Sequence, residues 1–136
     1  NTIDSLKNFV TEKNLQKIVL TRAAIDPEEI ERVLESEFSR KALLETFDIP
    51  KDKFLVLCVG QFIDRKGRWI YLEAAREILK QDQSVQFLWL TPVLPTIEEK
   101  QKIKEYDLGD SFQLFLSENI GKSRLDVLKF FRIADI

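Results

Sequence analysis

The sequence has no histidine and no methionine, one cysteine (Cys58), four glycines and four prolines among its 136 residues. Without histidine there is no Ser-His-Asp or Cys-His catalytic pair, and one cysteine allows neither a disulfide nor a Cys/His zinc site within the chain. Chemistry is left to carboxylates, lysines, arginines and the backbone. A formal charge of -2 excludes nucleic-acid binding by bulk charge. No uncharged apolar run approaches the roughly 18 residues of a membrane span, and the N-terminal region lacks the charged, apolar and cleavage segments of a secretory signal. A cytoplasmic location is therefore expected. The chain starts at Asn1 and reads as an excerpt of a longer protein.

What is present describes one globular unit. Hydrophobic residues make up 44% and charged residues 32%, with ten Phe, and a chain of this length buries about two-thirds of its extended surface. Short apolar runs at 53–59, 85–90 and 112–116 show little alternation, the pattern of parallel strands buried on both faces, and 17–20 is a weaker strand candidate. Amphipathic stretches lie between them. Asp26, Pro27 and Glu29 form a helix start with a capping box, followed by an apolar stripe of Ile30, Val33, Leu34 and Phe38. Residues 39–47 continue that helix or form a second one. From 67 to 80, Leu72, Ala75 and Leu79 share a face with Tyr71, Ala74 and Ile78, while Glu73, Arg76, Glu77 and Lys80 face water. Thr96 with Glu99 and Ser123 with Asp126 open helices running to about Tyr106 and Arg132, and Ala134, Asp135 and Ile136 begin another strand. Trp69, Trp89 and Cys58 read as packing residues, and the mixed charges of 99–104 as a solvated helix face.

This alternation predicts an α/β fold, a Rossmann-like parallel sheet with flanking helices and right-handed crossovers. Ligands of such sheets sit where strand C-termini meet helix N-termini. Gly60, Gly67 and Gly121 fall in those connections, and Gly109 in a return turn. The first connection, Val59-Gly60-Gln61-Phe62-Ile63-Asp64-Arg65-Lys66-Gly67-Arg68, combines a glycine at a strand end, a lysine and a helix start. These favour an anion, although the order matches neither a Walker A loop nor a dinucleotide fingerprint. Spacing alone favours a structural turn, with Gly60 making a tight turn, Gly67 relieving helix packing and Arg65, Lys66 and Arg68 forming a solvated basic edge.

The run VLCVGQFIDRKGRWIYLEAAREIL closely resembles the segment that opens the C-terminal domain of family 4 (group 1) glycosyltransferases of GT-B architecture. Lys17-Ile18-Val19-Leu20 with Ile25-Asp26, Phe47-Asp48-Ile49-Pro50 with Asp52, and Phe130-Phe131-Arg132-Ile133-Ala134-Asp135-Ile136 resemble further segments of that family, in the same order. Thr21-Arg22-Ala23-Ala24 replaces its usual Pro-Asn-Gly. The resemblance implies an interdomain helical segment at 1–16 and, at 17–136, an incomplete donor-binding domain that stops before the family's Glu-x7-Glu region. It implies a parent enzyme that moves a hexose-type sugar, with retention, from a nucleotide-diphosphate sugar to a glycan or lipid-linked acceptor. No metal or other cofactor is implied, the fragment alone is expected to be inactive, and the parent could attach peripherally to the inner face of a membrane.

Carried over position by position, the resemblance makes Lys66 the residue that stabilises the leaving phosphate and Gly60 the backbone beside it. Gln61 stands where the family has Arg. A neutral donor there costs about a factor of ten, since charge-assisted bonds contribute about 1.5–3 kcal/mol against roughly 1 for neutral ones, unless Arg65 or Arg68 compensates. Glu118, Asn119 and Ile120 lie where the family reads the base, while Thr91-Pro92-Val93-Leu94-Pro95 is a stiff structural turn. The alternatives are a non-catalytic α/β binding module and another GT-B enzyme, such as a nucleotide-sugar epimerase or a phosphorylase-like protein.

Overall fold

The computed structural model describes residues 11, 14, 26–121 and 123–136. The expected strand at 17–20 and, apart from residues 11 and 14, the segment 1–16 lie outside them. The three apolar runs become strands β1 (Phe54–Val59), β2 (Val85–Thr91) and β3 (Phe112–Leu116) of one parallel sheet ordered β1-β2-β3. Phe54 pairs with Val85, and Phe87 with Phe112. Only β2 is buried along its whole length; β1 and β3 are flanking strands and stay partly open, which corrects the expectation that all three are buried on both faces.

The helices are α1 (Pro27–Glu35), α2 (Arg40–Thr46), α3 (Arg68–Leu79), α4 (Ile97–Lys104), α5 (Ser117–Ile120) and α6 (Arg124–Phe131). Ser36 ends α1 in extended conformation, and Ser39 caps α2 by accepting from the Ala42 N–H, so residues 39–47 form a second helix. The Asp26 carboxylate caps α1 by accepting from the Glu28 N–H (3.0 Å). Glu29 completes no capping box; its carboxylate pairs instead with Arg124 of α6 (3.0 Å). In α1 only Val33 is buried, whereas Leu34 is 61% exposed and Phe38 lies beyond the helix. α2 ends with Asp48 left-handed (φ 52°) and the Ile49 N–H donating to the Leu44 carbonyl (2.8 Å), the hydrogen bond of a Schellman cap.

The helices cover both faces of the sheet. On one, Leu72, Ala75 and Leu79 of α3 pack with Phe62 and Leu108 on Phe87 and Trp89. Ala74 and Ile78, expected on this face, are exposed; Arg76 instead lies half-buried with its guanidinium over the Tyr106 ring (5.7 Å). On the other face Leu44, Ile49, Phe130 and Ile133 pack on Leu55, Leu88 and Leu90, and Phe47, Phe115 and Phe130 meet edge to face. α1 lies against α6, where Arg132 donates to the Val33 carbonyl (2.7 Å) and stacks on Phe38 (4.0 Å).

After α6 the chain returns to the free edge of β1. The Ile136 N–H donates to the Leu55 carbonyl (3.2 Å), and the Ile136 carbonyl accepts from the Leu57 N–H (2.8 Å), the alternation of a parallel pair centred on Val56. The spatial order is therefore β3, β2, β1 and then the terminal residues. The connections from β1 to β2 and from β2 to β3 cover one face and the one from β3 to the terminal residues covers the other, so the winding reverses between β1 and the terminal residues, the usual place for a ligand crevice.

Phe130 is fully buried beneath this return. Phe130→Ala should lower the unfolding free energy by about 3–5 kcal/mol, whereas Leu34→Ala should stay within about 0.5 kcal/mol. Urea titration followed by Trp fluorescence measures both.

Candidate functional site

The site is built outward from β2. Trp89 is fully buried at the centre of one face, and a buried indole N–H requires an acceptor. Its Nε1 donates to the carbonyl of Gly60 (2.9 Å), while the Gly60 N–H continues the ladder to Leu90 (2.9 Å). Gly60 leaves β1 at φ 151°, a conformation side-chain-bearing residues rarely adopt. Phe62 then turns inward, edge-on to Trp89 (5.0 Å) and Trp69 (5.6 Å), which anchors the loop to the core and leaves Gln61 exposed.

A single 3-10 turn, Asp64–Lys66, follows. Its Lys66 N–H donates to Ile63 (2.9 Å), and the Gly67 N–H to Asp64 (2.8 Å). Gly67 is left-handed (φ 72°), and no atom lies within 4 Å of where its Cβ would sit. The glycine is needed for conformation, which corrects the packing role read from the sequence. The Lys66 side chain folds back over Gly60, its Cε, Cδ and Cγ lying 3.7–3.9 Å from the position of a Gly60 Cβ. Burial pushes the Cys58 thiol up, and the nearby Lys66 charge partly offsets this. Arg65 and Lys66 are exposed and make no ion pair among the described residues. The first-turn N–H groups of α3 have no intrahelical acceptor. The Lys66 side chain, a glycine backbone and a helix start thus meet at the carboxyl end of β1, with the exposed Arg65 in the adjoining turn.

Arg68 is not part of a solvated edge. Its side chain is 11% exposed; Nε donates to Asp64 (2.9 Å), and one terminal nitrogen donates to the Phe62 carbonyl (2.7 Å) and to Glu99. The guanidinium also stacks on Trp69 (4.4 Å). Desolvation opposes its charge, but the bonds to Glu99 and Asp64 prevail and raise its pKa. These contacts occupy the Arg68 guanidinium, so it is not free to reach a ligand beside Gln61. Glu99 is held from the other side by the α4 capping box, where the Thr96 N–H donates to its carboxylate (2.8 Å). That bond and the one from Arg68 hold Glu99 below the usual carboxylate range.

In the second connection the buried Thr91 hydroxyl donates to the Val93 carbonyl (3.0 Å), as expected of a structural turn. Gln61, Phe62, Ile63, Val93, Leu94, Pro95, Thr96 and Glu99 line a cleft of ≈ 210 Å³ between the first two connections. This is smaller than the roughly 300–1,000 Å³ of a site that encloses a small-molecule ligand. In the third connection Glu118 and Asn119 are exposed on α5, and Ile120 packs on the second core. Gly121 is extended (φ 167°) and has no room for a side chain, since a Cβ would lie 2.3 Å from the Asp126 carboxylate. The fold thus brings Lys66 onto Gly60, with Gln61 and Arg65 in the same connection, and places Glu118 and Asn119 at the same carboxyl end of the sheet but beyond β3, two strands away. Among the described residues no group of three or more His, Cys, Asp or Glu is placed to hold a metal, and no helix is long and apolar enough to cross a membrane.

Sequence reasoning missed the anchoring role of Phe62 and the Arg68–Glu99 pair. The Asp64 to Arg68 spacing of four was a usable signal; the 31-residue separation from Glu99 carried none. No family model, curated protein or solved structure matches the chain.

Gly67→Ala should cost about 1–2 kcal/mol through its left-handed backbone, read by urea denaturation. Because the carboxyl pKa of Glu99 is depressed by folding, its contribution is complete above the ordinary glutamate value of about 4.3 and is lost as pH falls through the folded value. Glu99→Gln should therefore flatten the acid limb of a stability profile measured between about pH 5 and 2.

Proposed function

We propose that the chain is the donor-binding part of a retaining glycosyltransferase of GT-B architecture and that its first connection takes the diphosphate of a nucleotide-sugar. The observation that carries this reading is the placement of Lys66 over Gly60 at the carboxyl end of β1, with Arg65 beside it. A diphosphate there meets free N–H groups, two cations and a strand end without a side chain. Lys66 stabilises the leaving phosphate, where charge develops in the transition state. Gln61 offers neutral donors, and Arg65 is the remaining candidate to supply the missing charge, since Arg68 is engaged elsewhere. On this reading the base of an extended donor meets Glu118, Asn119 and the backbone of Ile120, whose side chain is taken up by the second core. The ≈ 210 Å³ cleft encloses only part of such a donor, so the glycan or lipid-linked acceptor and the opposing wall belong to another part of the parent enzyme.

The second reading, a non-catalytic α/β module, is favoured by Gln61 at the arginine position and by the engagement of Arg68. NMR titration with the uridine and guanosine diphosphates separates the two. Shifts at the amides of residues 60–67, and at 118–120 from the base, are expected, and Lys66→Ala should weaken binding about tenfold or more through loss of a charge-assisted contact. Absence of any shift at millimolar ligand would sink the transferase reading in favour of the module.

A further inference from the structure

The first connection is short of internal support: one 3-10 turn and one glycine, Gly67, link Phe62 to α3. Beyond the Phe62 anchor, one guanidinium ties it to its surroundings. Arg68 bonds to the Phe62 carbonyl before the turn, to Asp64 within it and to Glu99 at the start of α4, a residue that reaches the loop only through the second crossover. The same cation sits on Trp69, whose ring also meets Phe62 (5.6 Å), Lys102 (4.2 Å) and the stacked Tyr106 (6.2 Å), so α3 and α4 are joined along this seam.

We propose that Arg68 is a positioning residue, held by Glu99, which sets the 60–67 turn in the conformation that presents Lys66 and the backbone N–H groups to an anion. The proposal rests on the anion-binding reading above and deepens it. It assigns a role to a cation that does not touch the ligand and to a carboxylate in the neighbouring connection. The role depends on geometry as well as charge, because a planar fork reaches three acceptors in different directions and an ammonium does not.

The test uses the whole chain and inorganic pyrophosphate. Amide hydrogen exchange without ligand is compared for wild type, Arg68→Gln, Arg68→Lys and Glu99→Gln, followed by titration. In all three variants the Lys66 and Gly67 amides should exchange about tenfold faster or more, while the β1–β2 ladder amides keep their protection, and pyrophosphate affinity should fall about tenfold. Retained protection at Lys66 and Gly67, or full rescue by Arg68→Lys, overturns the proposal. A loss of protection spread equally over the ladder also overturns it, because Arg68 would then support the fold in general. A wild-type chain that shows no response to millimolar pyrophosphate overturns the anion reading instead; the exchange results without ligand still decide whether Arg68 sets the turn.

Discussion

The structure depends on the burial of Trp89. An indole at the centre of a fully covered strand contributes a large apolar surface but brings an N–H that must find an acceptor. That acceptor is the Gly60 carbonyl, the first residue past β1. Phe62 and Tyr71 close on the same ring at 5.0 and 5.2 Å, so the residues that fill the core also hold the start of the first connection. Tyr71 is tied in further: its hydroxyl lies 2.9 Å from the Val56 carbonyl and 3.0 Å from that of Leu88, and burial keeps the phenol protonated far above the ordinary range. Core and candidate site are mechanically one unit.

Topology adds what packing alone does not. α3 and α4 lie over one face of the sheet, α2 and α6 over the other, and the chain returns to the outer edge of β1 at Leu55 and Leu57. This return is secured by side chains as well as backbone. Asp135 accepts from the Leu55 N–H (2.8 Å), and Arg40 bridges the Ile133 carbonyl (3.1 Å) and the Asp135 carboxylate. The winding thereby reverses between β1 and the terminal residues. In the connection that follows β1, Lys66 and Arg65 have no ion-pair partners among the described residues, whereas Arg68, two residues on, is fully engaged.

Much of the fold was legible because its signals are short-ranged. β1, β2 and β3 follow their apolar runs to within a residue, and the Thr96–Glu99 and Ser123–Asp126 capping boxes form as the spacing requires. The misreadings are equally specific. Leu34, Ala74 and Ile78 belong to plausible apolar stripes yet face outward, because which arc of a helix is covered depends on the partner it meets. Glu29 has the spacing for a capping box but is drawn to Arg124 when α1 packs on α6. In the site, Gly60 and Lys66 could be singled out from the order of residue types, whereas the fate of Arg68 could not.

The sequence by itself determined the element types, their order and the identity of the first connection, since hydrophobic period, cap residues and glycine position act over a few residues. Tertiary structure decided which of its cations are paired among the described residues. Arg65, Lys66 and Arg68 are alike as a basic cluster in the chain. They diverge when the second crossover brings Glu99 against α3, because a guanidinium in a partly dry pocket is stable only with its acceptors in place.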